Sequence, residues 1–390
     1  MKAHMDFPGG GNARERHAFG PARRVLEAWS TGEVLPVLEQ VQAHARAGAW
    51  VLGFVAYEAA PAFDAAMPVL VPVAGLPLAA FGVFDAPLPR AATLDRAERA
   101  AARPETPAAP AHWSWLHDTP SIHAGVEQIR AAIARGEVYQ VNLTTRLRAA
   151  FAGSAPALFA ALCSAQPDGY CLHLDGGRWQ LLSVSPELFF DWTPQGVLST
   201  QPMKGTAARD ADPARDTALR EAMLSSEKEL AENRMIVDLL RNDLGRIAEL
   251  GSVQVPRLFE AVALPTAWQM VSTVRCQTRA QVGLPEVFAA LFPCGSVTGA
   301  PKIAAMAAIR DLERAPRGAY CGALGMVRPG GHATFAVGIR TVVLDTESGA
   351  AECGIGSGIT LDSTPAAEEQ EWRVKQRFLE RAALPPDTGT

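Results

Sequence analysis

Lysine is almost missing from this 390-residue chain: Lys2, Lys204, Lys228, Lys302 and Lys375 are the only five among 36 basic residues. Arginine serves wherever a solvated cation suffices, so each retained lysine stands out as a compact amine that can lose its proton. Lys204 ends the strand-like run Thr200-Gln-Pro-Met-Lys-Gly-Thr206 beside a turn. It reads either as a surface cation or as a nucleophile or base. Paired cysteines are absent too. Cys163, Cys171, Cys276, Cys294, Cys321 and Cys353 form no Cys-x-x-Cys pair, which argues against a zinc site or a disulfide framework and leaves small buried residues. No run approaches the 18 apolar residues of a membrane helix, and residues 1–20 lack the apolar core of a signal peptide. No membrane partner and a cytoplasmic location are therefore expected. A dispersed net charge of -5 gives no basic face for nucleic acid.

What is present is globular: 48% of residues are hydrophobic and 20% charged, enough to bury a core and leave a small molecule or protein as partner. Residues 1–85 form an N-terminal α/β subregion. Within it a helical pattern over 21–47 precedes apolar strands at 50–57 and 79–84. Glu58, at a strand end, could be functional, but a carboxylate in that place is usually just solvated. Residues 86–120, crowded with Pro, Ala and Arg, read as a linker, and a second domain is expected over 121–380.

Ser121 is placed to cap a helix over 122–135, after which residues 138–146 alternate as a strand. That strand puts Tyr139, Val141 and Leu143 on one face and Gln140, Asn142 and Thr144 on the other, a polar face able to line a cavity. Glu187 follows Pro186 where an apolar strand resumes. Buried there it would hold its proton as a general acid does; exposed, it is a carboxylate at a bulge. A long helix over 225–249 carries Glu229 and Glu232 on one face, and a helix opened by Pro365 carries Glu368, Glu371 and Lys375. Each pair is a solvated face or, together, the oxygen ligands of a divalent cation such as Mg2+. Residues 292–302 form a Gly-rich loop opening a helix over 303–310, whose N-terminus could receive an anion; the glycine spacing is not that of a P-loop. Gly354-Ile-Gly-Ser-Gly358 lacks the dinucleotide fingerprint and reads as a bend beneath a ligand. Strands are expected at 323–327, 334–344 and 350–353. Arg340, inside the second, is either ion-paired or a carboxylate clamp.

In their order, Tyr139-Gln-Val-Asn, Ser185-Pro-Glu, Pro202-Met-Lys-Gly-Thr, Ala231-Glu-Asn-Arg-Met-Ile-Val-Asp-Leu-Leu-Arg-Asn-Asp-Leu-Gly-Arg246, Cys294-Gly-Ser-Val-Thr-Gly-Ala-Pro-Lys302, Tyr320-Cys-Gly-Ala-Leu-Gly325 and Ile339-Arg-Thr341 resemble the chorismate-utilising enzymes. That family contains anthranilate, aminodeoxychorismate, isochorismate and salicylate synthases. The resemblance implies an α+β fold of two large antiparallel sheets packed face to face with helices outside. Isochorismate and salicylate synthases resemble one another in a lysine where Gln140 stands, and anthranilate synthases in a small residue where Lys204 stands. The combination of Gln140, Lys204 and Cys294 is similar to component I of aminodeoxychorismate synthases.

On that resemblance chorismate and ammonia are the substrates, Lys204 is a covalent nucleophile and Glu187 the acid. Glu229, Glu232, Glu368 and Glu371 would hold Mg2+. Arg340, Lys375, Tyr320, Thr298, Gly299, Gly356, Gln140 and Thr206 would bind substrate. Two positions depart from the family: Asn233 and Trp268 stand where histidines are usual, and the indole is expected to stack or pack. No Gly-x-Cys-x-Gly elbow exists, the nearest being Gly169-Tyr-Cys-Leu-His173, so ammonia is expected from a separate glutamine amidotransferase subunit, and pyruvate release from a separate lyase. Anthranilate synthase component I and a non-catalytic chorismate-binding regulator are the rival readings.

Overall fold

The structure, a computed structural model, describes residues 1–9, 13–89, 110, 112–263 and 267–383. Its strands in chain order are β1 (Lys2–Pro8), β2 (Arg14–Phe19), β3 (Arg24–Ala28), β4 (Trp50–Val55), β5 (Ala79–Phe84), β6 (Ser114–Trp115), β7 (Gln140–Ala150), β8 (Tyr170–Asp175), β9 (Trp179–Ser185), β10 (Leu188–Trp192), β11 (Val197–Thr200), β12 (Met203–Ala208), β13 (Gln254–Ala263), β14 (Ala267–Gln277), β15 (Gly299–Ala300), β16 (Ala323–Val327), β17 (Ala333–Val337), β18 (Thr341–Asp345) and β19 (Ala350–Ile359). The α-helices are α1 (Thr31–Arg46), α2 (Thr119–Ala134), α3 (Ala155–Ala165), α4 (Pro213–Ser225), α5 (Glu227–Gly245), α6 (Leu284–Leu291), α7 (Lys302–Leu312) and α8 (Pro365–Ala383).

The strands form two antiparallel sheets. One runs β15-β7-β19-β18-β9-β8-β1-β2, with β6 beside β7; the other runs β12-β14-β11-β10-β17-β16-β4-β5-β3, with β13 beside β14. Strand alternation explains how they stack, because successive side chains point to opposite faces. Leu52 and Phe54 of β4, Leu181 of β9 and Leu324 of β16 join Phe7 and Leu172 in a core lying between the sheets. Their neighbours Val51, Val55 and Ala323 face a second core under α1, α5 and α6. Leu182 and Val184 face a third, under α2, α3, α7 and α8. The expected α+β fold of two antiparallel sheets with helices outside is thus the observed one. Residues 1–85 supply β1 and β2 to one sheet and β3 to β5 to the other. Most of the Pro/Ala-rich stretch, 90–109 and 111, lies outside the described residues.

Several local expectations are corrected. The helical pattern over 21–47 divides into β3 and α1, since residues 24–28 pair with β5 and Glu33 reaches back to Ser30 N at 2.9 Å to start the helix. Asp118, not Ser121, caps α2; its carboxylate accepts the Ser121 N-H at 3.0 Å, and Pro120 fits the first turn. The long helix over 225–249 is α5, separated from α4 by the cap Ser226. The single strand expected over 334–344 is two, β17 and β18, one in each sheet. Gly354 to Gly358 form no bend but lie within β19, paired along β7.

Glu58 is not solvated. It is 2% exposed and accepts the Arg317 N-H at 2.6 Å and the Gly318 N-H at 2.8 Å.

Candidate active site

Lys204 sits on a bulge. Met203 pairs with Val271 and Thr206 with Gln269, so one extra residue is inserted in β12, and Gly205 adopts φ 93°. A bulge re-aims side chains out of the regular ladder. Here the Lys204 amine is delivered against β19 and β7. A Cβ added at Gly358 would lie 2.2 Å from Gln140 Nε2 and 2.9 Å from Lys204 Nζ, so the bare glycine is what lets amine and amide approach. Gln140 is fully buried, and neither its Oε1 nor its Nε2 finds a hydrogen-bond partner among the described residues. An unsatisfied buried polar group costs about 1–3 kcal/mol.

Glu187, immediately before β10, lines the same cavity as Lys204. It is 5% exposed, and burial raises its pKa to about 7, against the opposing pull of the Ser296 hydrogen bond and the charges of Lys204 and Lys375. Such a carboxyl holds or releases a proton near neutrality, as an acid catalyst must.

The cavity encloses about 690 Å³ and is lined by Lys204, Glu187, Arg340, Lys375, Tyr320, Gly356 and Thr206 together with Glu229, Glu232, Glu368 and Glu371. Arg340 lies not inside a strand but at the crossover from β17 to β18, with φ 50°. Its guanidinium donates to Gln166 Oε1, has no ion-pair partner among the described residues, and burial lowers its pKa to about 10. Lys375 Nζ donates to Gly356 O at 2.9 Å and pairs with Glu371 at 2.6 Å. The Tyr320 ring covers Gly354, where a Cβ would fall 2.1 Å from Cδ1. Thr206 Oγ1 accepts from Gln269 Nε2 at 2.8 Å. Gln140, Thr298 and Gly299 are not in the cavity lining. The Thr298 hydroxyl donates to Cys294 O at 3.0 Å, and Gly299 pairs with Val141, so both brace β7 beside Gln140.

The four glutamates, from α5 and α8, are the all-oxygen donor set that suits Mg2+. Among the described residues, no three His, Cys, Asp or Glu side chains converge closely enough to hold a metal ion. Glu368 accepts from Ser357 Oγ, which accepts in turn from Trp372 Nε1 at 2.7 Å.

Trp268 stays outside the lining. Its indole donates to Asp216 Oδ1 at 3.1 Å beneath the Arg209 guanidinium, 4.5 Å from the ring centroid, the stacking expected of it. Asn142 lines the cavity, as its place on the polar strand face suggested, and so do Gln166, Ser296 and Ser357, which the sequence did not single out for that role. Ser296 falls within the Cys294 to Lys302 motif, whereas Gln166 follows α3 with no distinguishing pattern.

Half-buried cations sharing a cavity with a carboxyl acid and a set of glutamates make this a site for a small carboxylate substrate, held between two antiparallel sheets. Comparison with known proteins gives the class: the sequence profile of the chorismate binding enzymes matches residues 9–381, and the chain belongs to that family. Among its relatives, aminodeoxychorismate synthase component 1 of Klebsiella aerogenes is 42% identical over 246 residues, 63% of this chain and 53% of that one. Aminodeoxychorismate synthase of Streptomyces pristinaespiralis is 40% identical over 271 residues, 70% of this chain and 37% of that one. Anthranilate synthase component 1 of Streptomyces coelicolor is 34% identical over 368 residues, 84% of this chain and 71% of that one. The chain therefore spans about half or less of the first two. The crystal structure of anthranilate synthase component I from Streptococcus pneumoniae TIGR4 superposes with a TM-score of 0.76 at 25% identity, covering 97% of this chain and 90% of that one. No helix among the described residues is long and apolar enough to cross a membrane.

Proposed function

We propose that the protein aminates chorismate at C4 to give 4-amino-4-deoxychorismate, with Lys204 as nucleophile and Glu187 as acid. The observation that carries this is the Lys204 amine set beside the unpartnered amide of Gln140. An amide cannot deprotonate water, so the amine is the group at that point able to attack the ring.

In the first half-reaction the amine bonds to C2, the two ring double bonds shift, and the C4–O bond breaks. The Glu187 proton goes to the departing hydroxyl, which leaves as water. Ammonia then bonds to C4 as the C2–N bond breaks and frees Lys204, and the proton shed by the incoming nitrogen returns to Glu187. Arg340 and Lys375 orient the substrate carboxylates. Glu229, Glu232, Glu368 and Glu371, drawn closer together than they stand here, would hold Mg2+, which would supply charge neutralisation at a carboxylate. The relatives' designation as component 1 supports a second, glutamine-hydrolysing chain as ammonia source, and a separate lyase would release pyruvate. A cytoplasmic setting goes with this reading.

Mass spectrometry of the wild type and Lys204→Ala with chorismate but no ammonia tests the assignment. A lysine-dependent adduct in the wild type alone is expected; no adduct, together with full amination by Lys204→Ala, overturns it. The similarity to anthranilate synthase component 1 over 84% of the chain favours a second reading, in which the same incubation with ammonia and Mg2+ yields fluorescent anthranilate without a lyase.

A further inference from the structure

We infer that Asn233 is a positioning residue for Lys204, holding the backbone bulge that aims its amine into the cavity. The inference rests on Lys204 acting in the reaction proposed above. Asn233 is on α5, fully buried, one residue after Glu232. Its Nδ2 donates to the Lys204 carbonyl at 3.3 Å, and its Oδ1 accepts from Ser272 Oγ at 2.6 Å. Ser272, on β14 and also fully buried, accepts the Phe259 N-H at 3.1 Å.

The polarity of this chain of bonds is fixed by its two ends. A backbone N-H can only donate, so at Phe259 the serine oxygen accepts. The single hydroxyl proton of Ser272 then goes to Asn233. The Lys204 carbonyl can only accept, so the amide presents Nδ2 there and Oδ1 to the serine. One orientation of one side-chain type satisfies both contacts. An aspartate would set an acceptor against an acceptor.

The need for such a group follows from the bulge. Between the Met203–Val271 and Thr206–Gln269 pairs the register shifts, and Lys204 falls in the gap. Asn233 supplies from a helix the hydrogen bond that a regular ladder would draw from β14. The Ser272 N-H meanwhile donates to Pro202 O at 3.2 Å, so the same serine secures the strand on the approach to the bulge. Misplacing a reacting group by about 1 Å can cost on the order of a hundredfold in rate. Binding contacts elsewhere in the cavity would be untouched.

The test uses the purified chain with chorismate, Mg2+ and ammonium as nitrogen source, comparing wild type with Asn233→Asp, Ser272→Ala and Ser272→Thr. Expected for Asn233→Asp and Ser272→Ala is a kcat lower by about tenfold to a hundredfold, with KM for chorismate changed less than about threefold. Ser272→Thr, which keeps the hydroxyl, restores most of the rate. Without ammonia, adduct formation slows in the same proportion. If the wild type forms the adduct and the two variants form it equally fast, the positioning role is overturned while the nucleophile stands. A wild type that forms no adduct overturns the nucleophile; the kcat-against-KM split then decides Asn233 alone. An unchanged kcat, or a fall carried entirely by KM, overturns it. Should Asn233→Asp fail to fold, the contrast between Ser272→Ala and Ser272→Thr decides the matter.

Discussion

Ser296 donates its hydroxyl proton to Glu187 Oε1 at 2.7 Å, joining two buried groups of the cavity lining. The bond favours the ionised carboxylate and burial disfavours it. Burial wins, which leaves Glu187 with a pKa of about 7.

If Glu187 must carry a proton into the first half-reaction, turnover falls as pH rises through about 7. Removing the hydroxyl in Ser296→Ala takes away a group that stabilises the charged form, so this limb should move to higher pH. Glu187→Gln should lose about a hundredfold or more and show no such limb. Initial rates across pH 5.5–9 at saturating ammonia, roughly spanning the titration, check all three.

Gly358 should tolerate no side chain without loss of function. In Gly358→Ala the new Cβ would meet Gln140 Nε2 at 2.2 Å and crowd the Lys204 amine at 2.9 Å. The expected result is a folded protein, destabilised by about 1–3 kcal/mol, whose adduct formation is strongly reduced. Denaturant unfolding and adduct mass spectrometry separate the two effects.

Lys302 serves stability rather than anion binding. Its Nζ meets Asp243 Oδ2 at 3.0 Å and Leu291 O at 3.1 Å, both side chains of the ion pair largely buried. Lys302→Ala strands the carboxylate, whose pKa burial already raises and the lysine holds down. A loss of about 3–5 kcal/mol is expected in urea unfolding, against little change in KM for chorismate.

Glu58 carries a stability signature of its own. Burial raises its pKa to about 7, in spite of the two backbone N-H groups it accepts. The folded state thus binds more protons than the unfolded state between about pH 4.5 and 7, and stability falls as pH rises through that window. Melting temperatures measured across it should decline, and Glu58→Gln should flatten the slope.

The donor chemistry of Glu229, Glu232, Glu368 and Glu371 leads to a direct measurement. Mn2+ titration followed by electron spin resonance should show a site in the wild type, made weaker by Glu232→Gln or Glu368→Gln. Chelation should abolish turnover and restored Mg2+ should return it. Unaltered Mn2+ binding in both variants would assign the cation elsewhere.

The sequence was most readable where chemistry and local pattern coincided. Lys204 stood out by the scarcity of its kind, Glu187 by its apolar flanks, and the acidic helices by their three-residue spacing. What resisted reading depended on partners far along the chain. Arg340 reads as part of one apolar strand because nothing local marks the point where the chain leaves one sheet for the other. Residues 24–28 carry a helix-like pattern that pairing with β5 overrides. Glu58 is held by backbone 259 residues away, and Asn233 acquires its role only through a register shift in a sheet it does not belong to.

The interleaving of early and late strands also sets a timetable for the growing chain. β4 ends at Val55 and hydrogen-bonds to β16, which begins at Ala323. At roughly 5–20 residues per second of synthesis, β4 waits on the order of ten seconds or longer for that partner. Until then Val51, Leu52, Phe54 and Val55, all completely buried in the finished molecule, have β5 alone to pair with. The ribosome must therefore extend the chain past Val327 before the second sheet can close. Substitutions that weaken the β4–β5 hairpin are expected to reduce the yield of soluble protein more than the stability of the molecules that do fold, a difference seen by comparing soluble yield with unfolding free energy.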